Sequence, residues 1–250
     1  MPITRATALH VACLATLLPL AAATPAAQSC SARSGATITP VVELYTSEGC
    51  SSCPPADRWL SRLKADPDVV ALAFHVDYWD RLGWKDRFAS PAFSQRQAQQ
   101  QLGSAARFSY TPQVLVDGVD RPDWPRLSLP PTPRGGAPVD VVLVRDGNHF
   151  SATISALAGA PARLAAYWAV TEQDHVSAVK AGENAGAILR HDHVVREYRP
   201  VGAWASKPES RTTLAFALAA PNDPAHARNV ILVIVDADSG RPVQALGLGC

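Results

Sequence analysis

The chain has no charge excess of either sign, since 23 Lys and Arg face 22 Asp and Glu for a formal net charge of +1. That balance excludes the strongly basic footprint of a nucleic-acid binder or an anionic-membrane binder. After a short apolar stretch at the amino terminus no second long apolar run follows, so no membrane partner is expected once that stretch is removed. Internal repeats are absent, which excludes a solenoid. The CxxC pattern occurs once, whereas a zinc site ordinarily draws on a second ligand pair. What remains is the composition of an ordinary globular chain, 47% hydrophobic.

Arg5 precedes an apolar stretch from Ala6 to Leu20, followed by Ala21-Ala22-Ala23 and Ala26-Ala27. This pattern predicts a secretory signal peptide over 1–28 and an exported, periplasmic or secreted, protein. The stretch is short for a membrane span of roughly 20 residues, and it contains His10 and Pro19. Ala27-Gln28-Ser29 before Cys30 is a poor lipidation site. Cleavage leaves about 220 residues, enough for one large domain or two small ones. It also discards Cys13 and leaves Cys30, Cys50, Cys53 and Cys250 in an oxidising compartment. Three pairings are possible on paper. The local CxxC pair is the natural one, and we expect Cys30 and Cys250 to form a structural disulfide that staples the termini.

The stretch from Asp120 to Pro138 holds Pro122, Pro125, Pro130, Pro131, Pro133, Pro138 and Gly135-Gly136. Such a density of prolines excludes helix and central strand, so 121–138 reads as a linker. Before it, over 36–120, the pattern predicts a strand from Pro40 to Thr46, a helix from Ala56 to Lys64 and a strand from Val69 to Asp77. A helix from Ser90 to Leu102 and a strand from Gln113 to Val116 complete that part. The order indicates an α/β unit with parallel pairing. After the linker, over 139–250, short β runs alternate with turns. The Asp146-Gly147 step joins Val139 to Arg145 and Phe150 to Leu157 as a hairpin. Runs at Leu164 to Thr171, Val194 to Tyr198, Thr212 to Leu218, Val230 to Val235 and Pro242 to Leu246 predict an antiparallel sheet or sandwich.

Cys50 and Cys53 stand where the first strand hands over to the first helix. Thiols at this spacing can close a small disulfide ring and reopen it by exchange. The unpaired N–H groups and positive end of the helix favour the Cys50 thiolate, so Cys50 is expected to be the exposed attacking thiol and Cys53 the resolving one. Pro54 and Pro55 remove two of those donors and Glu48 adds a negative charge, with no cation nearer in sequence than Arg58. The expected thiol is therefore only moderately activated. Two other readings stay open at this point: a static structural disulfide, or a thiolate site for Cu(I) or Zn in a binding module.

Thr111-Pro112, leading directly into the apolar run Gln113 to Val116, resembles the Thr-cis-Pro step of thioredoxin folds. The resemblance implies that Thr111 and Pro112 contact a bound thiol or disulfide substrate beside the cysteines. A narrower similarity lies in Glu43-Leu44-Tyr45-Thr46-Ser47-Glu48-Gly49-Cys50-Ser51-Ser52-Cys53-Pro54-Pro55-Ala56-Asp57 and in Ala73-Phe74-His75-Val76-Asp77-Tyr78-Trp79-Asp80. Leu82 to Asp86, Phe88 to Phe93, and Gly182 to Arg196 agree as well. These blocks resemble a secreted bacterial family known as domain of unknown function 1223, which implies a thioredoxin-like fold and export but no established reaction.

Parallel first and second strands would bring Asp77 and Trp79 to the carboxyl edge that carries Cys50. Asp77 is then a candidate proton shuttle, or a turn cap, and Trp79 a candidate substrate wall, or packing. His75 reads as a satisfied core histidine rather than a metal ligand, and Glu183-Asn184 with His191 to Arg196 as contacts holding the two halves together, or else a second polar site. The expectation from sequence is an α/β thioredoxin-like domain with an added β-rich domain. It would act as a thiol-disulfide oxidoreductase on a polypeptide or small-molecule substrate with an unidentified redox partner, without cofactor or metal.

Overall fold

The computed structural model describes residues 1–2, 29–102, 108–219, 221 and 223–250. The expected signal peptide, 1–28, lies outside the described residues except for 1–2. In chain order β1 (Ser29–Arg33), β2 (Thr37–Ile38) and β3 (Val41–Thr46) precede α1 (Pro54–Ser61), β4 (Val70–His75) and α2 (Pro91–Leu102). A small hairpin of β5 (Gln113–Val116) and β6 (Val119–Asp120) follows, then β7 (Arg134–Gly136). The rest is strand: β8 (Val139–Asp146), β9 (His149–Ala156), β10 (Arg163–Glu172), β11 (His175–Ala178) and β12 (Ile188–His191). The last four are β13 (Val194–Ala205), β14 (Arg211–Ala217), β15 (Arg228–Asp236) and β16 (Pro242–Leu248).

Every residue of β3 and β4 is buried, as expected of a parallel pair covered on both faces. On one face α1 lays Ala56, Trp59 and Leu60 against Val42, Leu44, Ala71 and Ala73, an apolar stripe at helical spacing. Pro54 and Pro55 open this helix where a missing N–H costs no ladder bond. On the other face Phe93 of α2 packs edge-on to Phe74, which stacks near Tyr45.

The main sheet has eight strands in the order β16-β15-β10-β13-β4-β3-β5-β6. β13 runs parallel to β4 with Val194 opposite Ala73, and the Ala73 N–H donates to the His193 carbonyl at 2.8 Å. An open edge of β4 would leave backbone polar groups unpaired, and β13 meets that need. Segments 36–120 and 139–250 thus supply strands to one sheet, and 121–138 divides two kinds of sequence without dividing the sheet. Within that stretch β7 pairs with β2, and Trp124, Leu127 and Leu129 cover the α1 core.

A second, antiparallel sheet in the order β1-β8-β9-β14 faces the outer strands of the first. Between them lie Val141, Leu143, Phe150, Ile154, Trp168 and Leu232. The β8–β9 hairpin turns at Gly147, whose φ of 58° suits glycine. Cys30 of β1 is joined to Cys250, 220 residues later, with Cα atoms 6.7 Å apart. The architecture is a β-rich combination of mixed and antiparallel sheets with two α-helices among the described residues.

A buried ion pair locks β3 to the added strands. Glu43, pointing to the α2 face, accepts from Arg96 at 2.5 Å and from the Tyr167 hydroxyl at 2.5 Å. Arg96 also donates to the Tyr198 hydroxyl at 3.0 Å and lies 4.2 Å over the Tyr167 ring.

Candidate functional site

Cys50 and Cys53 close a disulfide at the amino end of α1, with Cα atoms 5.4 Å apart. Cys53 immediately precedes the helix and makes no side-chain cap. The Ser52 hydroxyl lies 3.4 Å from the Cys50 sulfur. Ser51 and Ser52 are exposed, but Cys50 and Cys53 are both 0% exposed. This corrects the expectation of an exposed Cys50. A turn between β11 and β12 packs on the loop that carries it. The Asn184 amide donates to the carbonyls of Glu48 and Cys50, each at 2.9 Å. Glu183 accepts from the Ser51 N–H at 3.0 Å and from its hydroxyl at 2.7 Å. Gly182 and Gly186 bracket this turn with positive φ. Glu183 and Asn184 therefore tie the two halves together, as their sequence suggested.

Trp79 connects the other predicted residues. Its Cβ would stand 3.1 Å from a Cβ added at Gly49, so the glycine permits the close approach. Its indole N–H donates to the Thr111 hydroxyl at 2.8 Å, which brings the Thr111–Pro112 step towards the CxxC loop. That peptide bond is cis, and Trp79, Thr111 and Pro112 are half-buried. Asp77 is engaged elsewhere: its carboxylate accepts from the Ser94 hydroxyl at 2.5 Å, and that hydroxyl accepts from the Asp77 N–H at 3.1 Å.

A buried polar cluster sits beside the disulfide loop, where Glu48, Asp57, His75, Asp86 and His191 are all under 10% exposed. His75 Nδ1 lies 2.6 Å from Asp86 Oδ2, which also accepts from the Glu48 N–H at 2.9 Å. His191 approaches Glu48 Oε1 through Nε2 at 3.4 Å and Asp57 Oδ1 through Nδ1 at 3.8 Å. The other oxygens are held by Trp84, which donates to Glu48 at 2.7 Å, and by the Thr46 hydroxyl, which donates to Asp57 at 3.0 Å. Burial works to raise the Asp86 carboxyl, but His75 and the N–H groups of Glu48 and Phe88 outweigh it and hold it at about 2. Burial works against charge on His191, but Asp57 and Glu48 raise its pKa to about 9. Burial would also raise Glu48, yet His191, Ser177 and Trp84 bring it below its ordinary value.

Sequence reasoning found Cys50, Cys53, Trp79 and Thr111–Pro112 as a neighbourhood but missed this cluster. Asp57, one turn beyond Cys53, carried the available signal: a carboxylate on the inward face of a helix whose other inward positions are apolar. His191 lies in a strand whose partner sequence does not reveal.

Fold and site together define a β-rich, mixed-sheet protein with a buried CxxC disulfide at a helix start. The chain belongs to the family described as "Protein of unknown function (DUF1223)", whose model matches residues 41–236. Among solved structures it is similar to protein AGR_C_4864 from Agrobacterium tumefaciens, with 28% identity over 85% of this chain and 94% of that one, at a TM-score of 0.61. It also shares its fold with HBP35 of Porphyromonas gingivalis, at 14% identity, 86% and 76% coverage and a TM-score of 0.59. No curated protein matches the chain.

Proposed function

We propose that this chain is an exported thiol-disulfide exchange protein built on a thioredoxin-like plan, with Cys50 and Cys53 as its redox pair. The observation that carries the reading is the placement of the pair. It lies at the amino end of α1 and, through Trp79, beside the Thr111–Pro112 step that opens β5. The strand order β4-β3-β5-β6 with α1 and α2 on opposite faces supports the thioredoxin-like reading.

In the reduced protein the Cys50 thiolate attacks one sulfur of a substrate disulfide, forms the mixed disulfide and releases the other substrate sulfur as thiolate. The Cys53 thiolate then attacks the Cys50 sulfur, closes Cys50–Cys53 and releases the second substrate thiol. Two electrons pass to the substrate, and a separate redox partner restores the dithiol. The reverse sequence oxidises a substrate dithiol. Trp79, Thr111 and Pro112 offer the half-buried wall against which a polypeptide or small thiol rests. Burial of Cys50 requires the Gly182 to Gly186 turn to lift before exchange.

That same burial favours a second reading, in which Cys50–Cys53 is a static brace in a binding module. The Cys53→Ser variant separates the two, because it stops resolution and should accumulate mixed disulfides with exported proteins or small thiols. Absence of any trapped species, with Cys50 free and folded protein in hand, supports the brace.

A further inference from the structure

We propose that Asp57, His75 and His191 form a binding site for one divalent transition-metal ion, with Zn2+ as its natural probe, independent of the Cys50–Cys53 pair. The atoms these three side chains offer lie within 4.8 Å of one another, and all three residues are buried. His75 and His191 are 0% and 2% exposed. Among the described residues His75 Nε2 and His191 Nδ1 have no hydrogen-bond partner, and His191 Nε2 has Glu48 Oε1 at 3.4 Å without forming a hydrogen bond, an arrangement that costs free energy unless something binds there.

The partners on the far side of each ring point the same way. Asp86 lies against Nδ1 of His75 and Glu48 against Nε2 of His191. A carboxylate on the outer nitrogen of a histidine fixes the tautomer that turns the other nitrogen's lone pair towards a metal. Asp86 takes that role on His75 by a hydrogen bond of 2.6 Å, and Glu48 Oε1 stands 3.4 Å from His191 Nε2, placed to take it on metal binding, so His75 Nε2, His191 Nδ1 and Asp57 Oδ1 remain as ligands. Two imidazoles and a carboxylate are a donor set that first-row divalent ions accept.

Charge agrees with geometry. Glu48, Asp57 and Asp86 are three buried carboxylates whose ion-pair partners among the described residues are only the two histidines. No Lys or Arg among the described residues forms an ion pair with them, so a dication meets a local excess of negative charge. A cavity of about 130 Å3, lined also by Pro54, Arg58, Ile188, Leu189 and Arg190, borders Asp57 and His191. Binding forms three metal–ligand bonds, releases any proton held on the ligating nitrogens and involves no oxidation or reduction.

The test is a chelator-competition titration of the folded chain with Zn2+, run with Cys50–Cys53 oxidised and again in the Cys50→Ser/Cys53→Ser variant. One equivalent bound in both is expected. His75→Asn should weaken binding more than 100-fold, and Asp86→Asn, which removes an outer partner, by about 10- to 100-fold with the stoichiometry kept. Should either variant misfold, Co2+ added to the unaltered chain decides: tetrahedral ligand-field bands without a thiolate charge-transfer band support the site. No stoichiometric Zn2+, or binding that vanishes with the cysteines and survives His75→Asn, overturns it. Failure here would leave disulfide exchange untouched, because trapping by Cys53→Ser reads only the thiols.

Discussion

Removal of the Asn184 side chain should open the disulfide to reductant. Both cysteines are buried, and the proposed exchange has a small thiol react only after the Gly182 to Gly186 turn, which is bonded to the Cys50 loop, lifts. Asn184→Ala deletes two hydrogen bonds of 2.9 Å, to the carbonyls of Glu48 and Cys50. At about 1 kcal/mol net for each bond, the closed turn loses about 2 kcal/mol against the open one. When reclosing is faster than reaction, the reduction rate follows the opening equilibrium. A loss of about 2 kcal/mol then corresponds to roughly 30-fold faster reduction, since each 1.4 kcal/mol is tenfold. The assay is timed reduction by dithiothreitol under native conditions, quenched with an alkylating reagent and read by mass. In denaturant the variant and the unaltered chain should reduce at the same rate. Glu183→Gln should accelerate reduction less, because Glu183 is exposed and its bonds to Ser51 compete with water. A folded Asn184→Ala protein with an unchanged native rate would refute the idea that this turn controls access.

Other consequences can be measured directly. Arg96→Leu leaves Glu43 buried without its cation and should cost about 3–5 kcal/mol in a urea titration; a loss below about 1 kcal/mol would contradict the pairing. Opening Cys30–Cys250, which spans 220 residues, should cost on the order of 5 kcal/mol by chain entropy, while native reduction of Cys50–Cys53 keeps its rate. Burial, then the charge of His226, lowers the His175 pKa from 6.5 to about 4. The unfolded chain therefore binds a proton there that the folded chain refuses. His175 should leave stability unaffected above about pH 6.5, destabilise increasingly as pH falls, and saturate below about pH 4. His175→Gln should flatten that part of a stability profile, and an unaltered slope would count against it.

β3 and β4 were readable as short apolar runs buried on both faces, and α1 and the β8–β9 hairpin by residues buried at a fixed spacing. Partner choice was not readable. The run from Val194 was expected to stop at Tyr198, yet β13 continues to Ala205 through Pro200. Pro200 is tolerated because β13 pairs with β4 only near Val194, so the proline N sits on an edge that needs no donor. β1, β11 and β12 are short and mix polar with apolar residues at alternating burial, so they lack the apolar run that marks the longer strands. The same limitation hid the cluster: Glu48, Asp57, His75 and Asp86 are near in sequence, but His191 reaches them only because β12 packs beside α1. The CxxC and its Trp79 and Thr111 neighbours were legible since short motifs carry them. Burial of Cys50 was not, because the motif does not show which distant residues pack on its loop, among them Asn184, 134 residues later.

The reduction potential of the Cys50–Cys53 pair, measured at equilibrium against glutathione or dithiothreitol, tests the proposed exchange most directly. A value between about −120 and −230 mV is expected of a pair that trades electrons with substrate thiols. A value below about −300 mV would mark a structural bridge and contradict the proposal.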